Sequence, residues 1–118
     1  MSYIDFIVMP VPKKKVNAYR ALCKKSAAIW KKHGAIGYVE CLEDDVKPGK
    51  VTSFPQSVNL RKGEVVAAAY IIFKSKAHRN AAWKKFMKDP SMANFDWRTA
   101  PFDGMRMFFG GFRPVVKF

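Results

Sequence analysis

The stretch Glu64 to Phe73, EVVAAAYIIF, carries no charge after its first residue, and this constrains the fold more than any other feature of the chain. As a strand it places Val65, Ala67, Ala69, Ile71 and Phe73 on one side and Val66, Ala68, Tyr70 and Ile72 on the other. A sheet covered on one face only should alternate apolar with polar residues. Two further segments break that rule in the same way. Tyr3 to Val11 sets Ile4, Phe6 and Val8 against Tyr3, Ile7 and Met9, and the segment from Met105 to about Val116 sets Met105, Met107 and Phe109 against Phe108 and Phe112. Both faces of any sheet made from these strands must therefore leave water.

The intervening segments supply the rest of the fold. Lys14 to His33 has helical spacing, with Val16, Tyr19, Cys23, Ala27 and Trp30 on one stripe and Gly34 placed to cap the C-terminal end. Ala35 to Leu42 is expected as the second strand. The segment 43–59 contains two prolines and a glycine and is expected as a long connection, with an extended edge piece around Val51 to Phe54. Lys76 to Lys88 forms a second helix, which buries Ala82, Trp83 and Phe86 beside the stem of Arg79 and stops before Pro90. A loop over 89–104 leads to the last strand. The order is βαββαβ, an α+β ferredoxin-like sandwich in one domain of 118 residues, with an antiparallel sheet carrying both helices on one face. Two helices cover one face only. The other would be an exposed apolar patch of roughly several hundred Å2, so a homodimer with two sheets packed face to face is expected.

Three motifs in order, YIDFIVMPVP, VECLEDDVKPGKVTSFP, and DPSMA followed by PFDGMRMFFGGF, resemble the YbaA-like family of bacterial proteins of unknown function. The resemblance spans nearly the whole chain. It implies membership of the dimeric α/β-barrel group of ferredoxin-like folds and brings no reaction with it. That fold group includes cofactor-free monooxygenases, isomerases and plain ligand binders, so an enzymatic role is an expectation by analogy alone.

Charge narrows the partners without choosing one. The formal net charge is +13, and the two helical regions hold most of the lysines with no acid among them. Such a layer attracts polyanions, RNA included, although it lacks the exposed aromatics that stack on bases. No apolar run is long enough to span a bilayer, and the N-terminus has no basic leader, so a cytoplasmic protein without membrane contact is expected. Cys23 and Cys41 lie outside any C-x-x-C spacing and read as small core residues of a reducing compartment.

Few residues suggest chemistry. Arg106, on the strand side that carries Phe108, Gly110 and Phe112, needs a carboxylate or a bound anion; Asp5 and Glu40 on neighbouring strands are the expected internal partners. Lys50, Thr52 and Ser53 in KVTSFP could line a pocket. No base is at hand for their hydroxyls, because His33 and His78, the two histidines, read as lying on helix surfaces. Asp103 belongs to the turn PFDG, with Gly104 free to take positive φ. Glu40, Cys41, Glu43, Asp44 and Asp45 match no metal spacing and read as a strand end and turn. The candidate ligand-binding set is Arg106, Lys50, Thr52, Ser53, Glu40 and Asp103, with no metal, no cofactor and no assigned catalytic residue. The leading expectation is a small homodimer that binds a small molecule in a cavity lined by the sheet. The alternatives are polyanion or RNA binding through the basic helices and a purely structural dimer.

Overall fold

The structure is a computed structural model, and it describes residues 2–118. Strand β1 spans Tyr3–Pro12, β2 Gly37–Leu42, β3 Glu64–Phe73 and β4 Phe108–Phe112; the helices are α1 (Val16–Lys32), α2 (Phe54–Ser57) and α3 (Lys76–Lys88). The strands form one antiparallel sheet in the order β2-β3-β1-β4, the ferredoxin-like arrangement. Its long central pair, β1 with β3, runs in unbroken register from Tyr3 opposite Phe73 to Pro12 opposite Glu64. Pro10 and Pro12 do not stop β1. They lie beyond its last pairing with β4, Val8 opposite Phe108, so on that flank they interrupt no ladder.

The helices pack on one face. Ile7, Met9 and Val11 of β1 and Ala67, Ala69, Ile71 and Phe73 of β3 meet Tyr19, Ile29 and Trp30 of α1 and Ala82 and Phe86 of α3. Trp30 is the hub of this layer: it stacks on Phe86 at 4.2 Å between ring centroids and meets Phe73 and Trp83 edge-on. The end of α1 is a Schellman motif, in which Gly34 N–H donates to the Lys31 carbonyl and Ala35 N–H to the Trp30 carbonyl. Gly34 has a φ of 102°, which a side chain would resist, so glycine at this point decides where α1 stops. Asp89, buried at the end of α3, ties the two helix ends together by accepting from Lys32, pairing with His33 Nε2 at 2.7 Å and accepting from Ser91 N–H. Those bonds, the Ser91 amide first, hold its carboxyl far below the usual range.

Two segments and one burial expectation differ from the sequence reading. The piece around Val51 to Phe54 is not a strand: Ser53 caps the short helix α2, accepting from Gln56 N–H while Gln56 Oε1 accepts from Ser53 Oγ. Strand β4 is much shorter than 105–116. Asp103 to Arg106 is a hydrogen-bonded turn, and Pro114 has no N–H with which to extend the pairing. Cys41 is exposed rather than part of the core, because its side of β2 is the one that the helices leave bare. Cys23 sits on the helical side, half-buried, and both thiols are free.

The bare face carries Phe6, Tyr70, Phe108 and Phe112, with Phe6 46% and Phe112 56% exposed. Phe6 touches Phe112 edge-on at 5.3 Å and lies 6.4 Å from Tyr70, so these rings form one continuous apolar surface. One end of it is covered, where Val58 and Leu60 after α2 pack on Val8 and Val66. Gly111 lies under the Tyr3 ring. A Cβ there would lie 2.3 Å from the Tyr3 hydroxyl, so its lack of a side chain lets the Tyr3 ring cross β4.

Candidate functional site

The residues that could act together lie between the sheet and the helices. Tyr38 and Glu40 are two apart on β2 and therefore share its helix-facing side, while Tyr19 comes down from α1. Glu40 Oε1 accepts from the Tyr38 hydroxyl at 2.7 Å, and Oε2 accepts from the Tyr19 hydroxyl. Burial, reinforced by the charge of Glu40, pushes both phenols far above their ordinary range, so they remain donors at any physiological pH. Cys23, one turn along α1 from Tyr19, has its thiol pushed up to about 11 by burial and by Glu40, which keeps it neutral and weakly nucleophilic.

This carboxylate faces a cavity of about 270 Å3. The aromatic walls are Trp30 and Phe86 of the core stack, Trp83 of α3 and Phe109 of β4, and Trp83 lies against Phe109 at 5.8 Å. Met9, Met87, Met92 and Met107 supply adaptable apolar surface around them. Trp83 is fixed from behind. Its indole N–H donates to Asp5, which is fully buried and also receives a two-pronged contact from Arg79, itself over the Tyr3 ring. The far end of the cavity is closed by the loop over 89–104, which contributes Met92, Trp97 and Phe102. Trp97 stands edge-on to Phe95 at 4.7 Å, so this loop has a small aromatic framework of its own.

A second concavity, of about 300 Å3, lies between the C-terminal segment and the start of α3. Its apolar walls, Val115 and Val116, are themselves almost wholly exposed, so it offers little enclosure. Among the described residues no three His, Cys, Asp or Glu side chains stand close enough together to hold a metal ion.

Of the six candidates named from sequence, Glu40 alone lines the cavity between sheet and helices. Arg106 is paired, though with neither Asp5 nor Glu40, which are held by Arg79 with Trp83 and by the two tyrosines respectively. Its Nη1 and Nη2 grip both oxygens of Glu64 at 2.8 and 2.6 Å, Nε donates to Asp103 at 2.8 Å, and Nη1 also reaches the Asn59 carbonyl. The side chain is 11% exposed, and its bonds hold the carboxyls of Glu64 and Asp103 below their ordinary range. Because Arg106 precedes β4 instead of lying on it, it reaches the start of β3 and not the strand interior. Lys50 and Thr52 are exposed on the connection before α2, Ser53 is its cap, and Asp103 shapes the turn under Arg106. Sequence reasoning passed over the loop 89–104 and took Tyr19, Cys23 and Trp30 as core alone. A usable signal was present: a tyrosine on the inner stripe of α1 and a lone acid on an apolar strand face each need a polar partner.

With this geometry in view, comparison with known proteins places the chain in a family. A family described as "Protein of unknown function (DUF1428)" matches residues 2–104. The chain belongs to that family. The uncharacterized protein YbaA of Escherichia coli strain K12 is 42% identical over 116 residues, 98% of either chain, and YbaA of Shigella flexneri matches to the same extent. A dimeric ferredoxin-like protein from an uncultured marine organism superposes with a TM-score of 0.64 at 9% identity, over 99% of this chain and 98% of that one. Rv0793 from Mycobacterium tuberculosis superposes with a TM-score of 0.56 at 13% identity, over 99% and 98%. At these identities the two structures speak for the ferredoxin-like fold alone.

The Arg106 cluster joins the segment after α2, the start of β3 and the turn before β4. Replacing Arg106 by Met leaves Glu64 and Asp103 without their cation, and a stability loss of roughly 3 kcal/mol is expected in urea unfolding at neutral pH. A loss under about 0.5 kcal/mol, the range of ordinary surface substitutions, would show that the cluster does not hold these segments together.

Proposed function

We propose that this protein binds a small, largely apolar molecule in the cavity between the sheet and helices α1 and α3, oriented by Glu40. The observation that carries the reading is a single carboxylate, held by Tyr19 and Tyr38, on the wall of a 270 Å3 space otherwise lined almost wholly by aromatic and aliphatic side chains. Ligand sites typically combine an apolar enclosure with a few fixed polar groups of this kind. For scale, an engineered apolar cavity of about 150 Å3 holds benzene, so the space suits a ligand of one or two rings.

The working form in this reading is a homodimer closed through the bare face of the sheet. The exposed rings of Phe6, Phe108 and Phe112 favour it, as does the dimeric state of the marine ferredoxin-like protein. The cavity lies on the opposite side of the sheet, so dimerisation leaves it open to ligand.

The probe that tests the reading is 2-naphthol, neutral, apolar and carrying one hydroxyl to donate to Glu40. Saturable quenching of the protein's tryptophan emission is expected, because Trp30, Trp83 and Trp97 all line the cavity. Cys23→Phe fills the space from its α1 wall and should abolish the quenching while leaving far-UV circular dichroism unchanged. Quenching that survives this substitution unaltered would place the binding elsewhere.

A second reading rests on the helices. Neither α1 nor α3 contains an acid, and Lys24, Lys25, Lys31, Lys84, Lys85 and Lys88 are exposed on them, so this layer is suited to polyanions through charge alone. Its expected mark is affinity for a heparin column or a homopolymeric RNA that falls steeply and linearly in log–log form with salt. Binding insensitive to salt between 50 and 200 mM, the range over which phosphate contacts ordinarily weaken, would rule it out.

A further inference from the structure

We propose that the ligand of this cavity is a cation: an amine carried on an aromatic or aliphatic body of one or two rings. The inference rests on the small-molecule reading above and adds the charge of its ligand.

Among the described residues, Glu40 is the one acid on the cavity wall, and no lysine, arginine or histidine lines it. Every charged donor of this very basic protein is outside the cavity. The two tyrosine hydroxyls are already directed to Glu40, and the Trp83 indole is directed to Asp5. The cavity therefore offers an acceptor with negative charge and few uncommitted donors. An ionised carboxylate has about four lone-pair positions, and the tyrosines occupy two of them. The remainder can accept N–H groups.

The walls favour the same sign. Trp30, Trp83, Phe86 and Phe109 present π systems, whose faces attract a cation, and the attraction is larger where water is excluded. A ligand entering the cavity strips the remaining water from this half-buried carboxylate, and that cost is offset when a counter-charge arrives with the ligand. A bound ammonium supplies that charge, whereas a carboxylate ligand would set two like charges in the same apolar space. A neutral alcohol can donate one hydrogen bond to Glu40 but leaves its charge uncompensated.

The outer surface has the opposite sign. With a formal net charge of +13, the protein repels a cation in solution and draws anions toward itself, so the expected selectivity runs against the protein's long-range field. The two effects separate in kinetics. Salt should speed the association of an amine by screening its repulsion, whereas it would slow the association of an anion.

The test compares three ligands of the same shape, 2-phenylethylamine, 2-phenylethanol and phenylacetate, by tryptophan quenching on the full chain at pH 7, each in competition with 2-naphthol. The amine is expected to bind about tenfold more tightly than the alcohol, reflecting a charge-assisted bond in place of a neutral one, and phenylacetate is expected to be weakest. Glu40→Gln should remove the preference for the amine while keeping the alcohol, and the wild-type ranking stands as evidence even if that variant does not fold. An alcohol or carboxylate that binds as tightly as the amine overturns the proposal and leaves the small-molecule reading intact. Failure of all three ligands and of 2-naphthol to bind overturns both.

Discussion

The need to remove both faces of β1 and β3 from water governs this molecule. One face is met by α1 and α3, with Trp30 inserted among Phe73, Trp83 and Phe86. The other keeps Phe6, Phe108 and Phe112 half exposed, and only the residues just after α2 reach its end. The rest of the structure follows from this division. The helical side is where the chain can enclose space and place a charge out of bulk water, and the bare side is where a second copy would remove apolar surface.

Burial on the helical side sets the chemistry there. Glu40 is tolerable because two tyrosines donate to it, and the tyrosines are tolerable because Glu40 accepts from them. The Asp5, Arg79 and Trp83 cluster follows the same rule, and it orients one aromatic wall of the cavity. Many of the lysines lie on the outer surfaces of the helices. The +13 net charge and the acid of the cavity wall therefore belong to different parts of one molecule.

Much of the fold was legible in the sequence. The limits of β3 and α3 were readable because Pro90 stops the helical spacing of α3 and the apolar run of β3 has no competing pattern. The ends of β4 were not, since Met105 to Phe109 reads as continuous strand until the Asp103 turn and the three-way bonding of Arg106 are seen. Candidate site residues were harder. Arg106 stood out as a lone cation on an apolar strand side and Lys50, Thr52 and Ser53 as polar residues of a long connection, yet Arg106 is bound to Glu64 and Ser53 to Gln56. Glu40 was recognisable as an acid near a strand end, but Tyr19 lies 21 positions away, and only the helix crossing brings the two together. The 89–104 loop carries Met92, Phe95, Trp97 and Phe102, a composition too apolar for a simple solvent loop, and that was the readable sign of its role as a wall.

In the proposed reading the two faces of the sheet have separate fates, ligand on one side and a second copy on the other. Sedimentation velocity at micromolar concentration, on the wild-type chain and on Phe112→Glu, tests it most directly. A wild-type species of twice the chain mass is expected, dissociated to monomer by the glutamate, with 2-naphthol binding preserved in both. A wild-type protein that sediments as a stable monomer would contradict it, because the bare aromatic face would then have no partner.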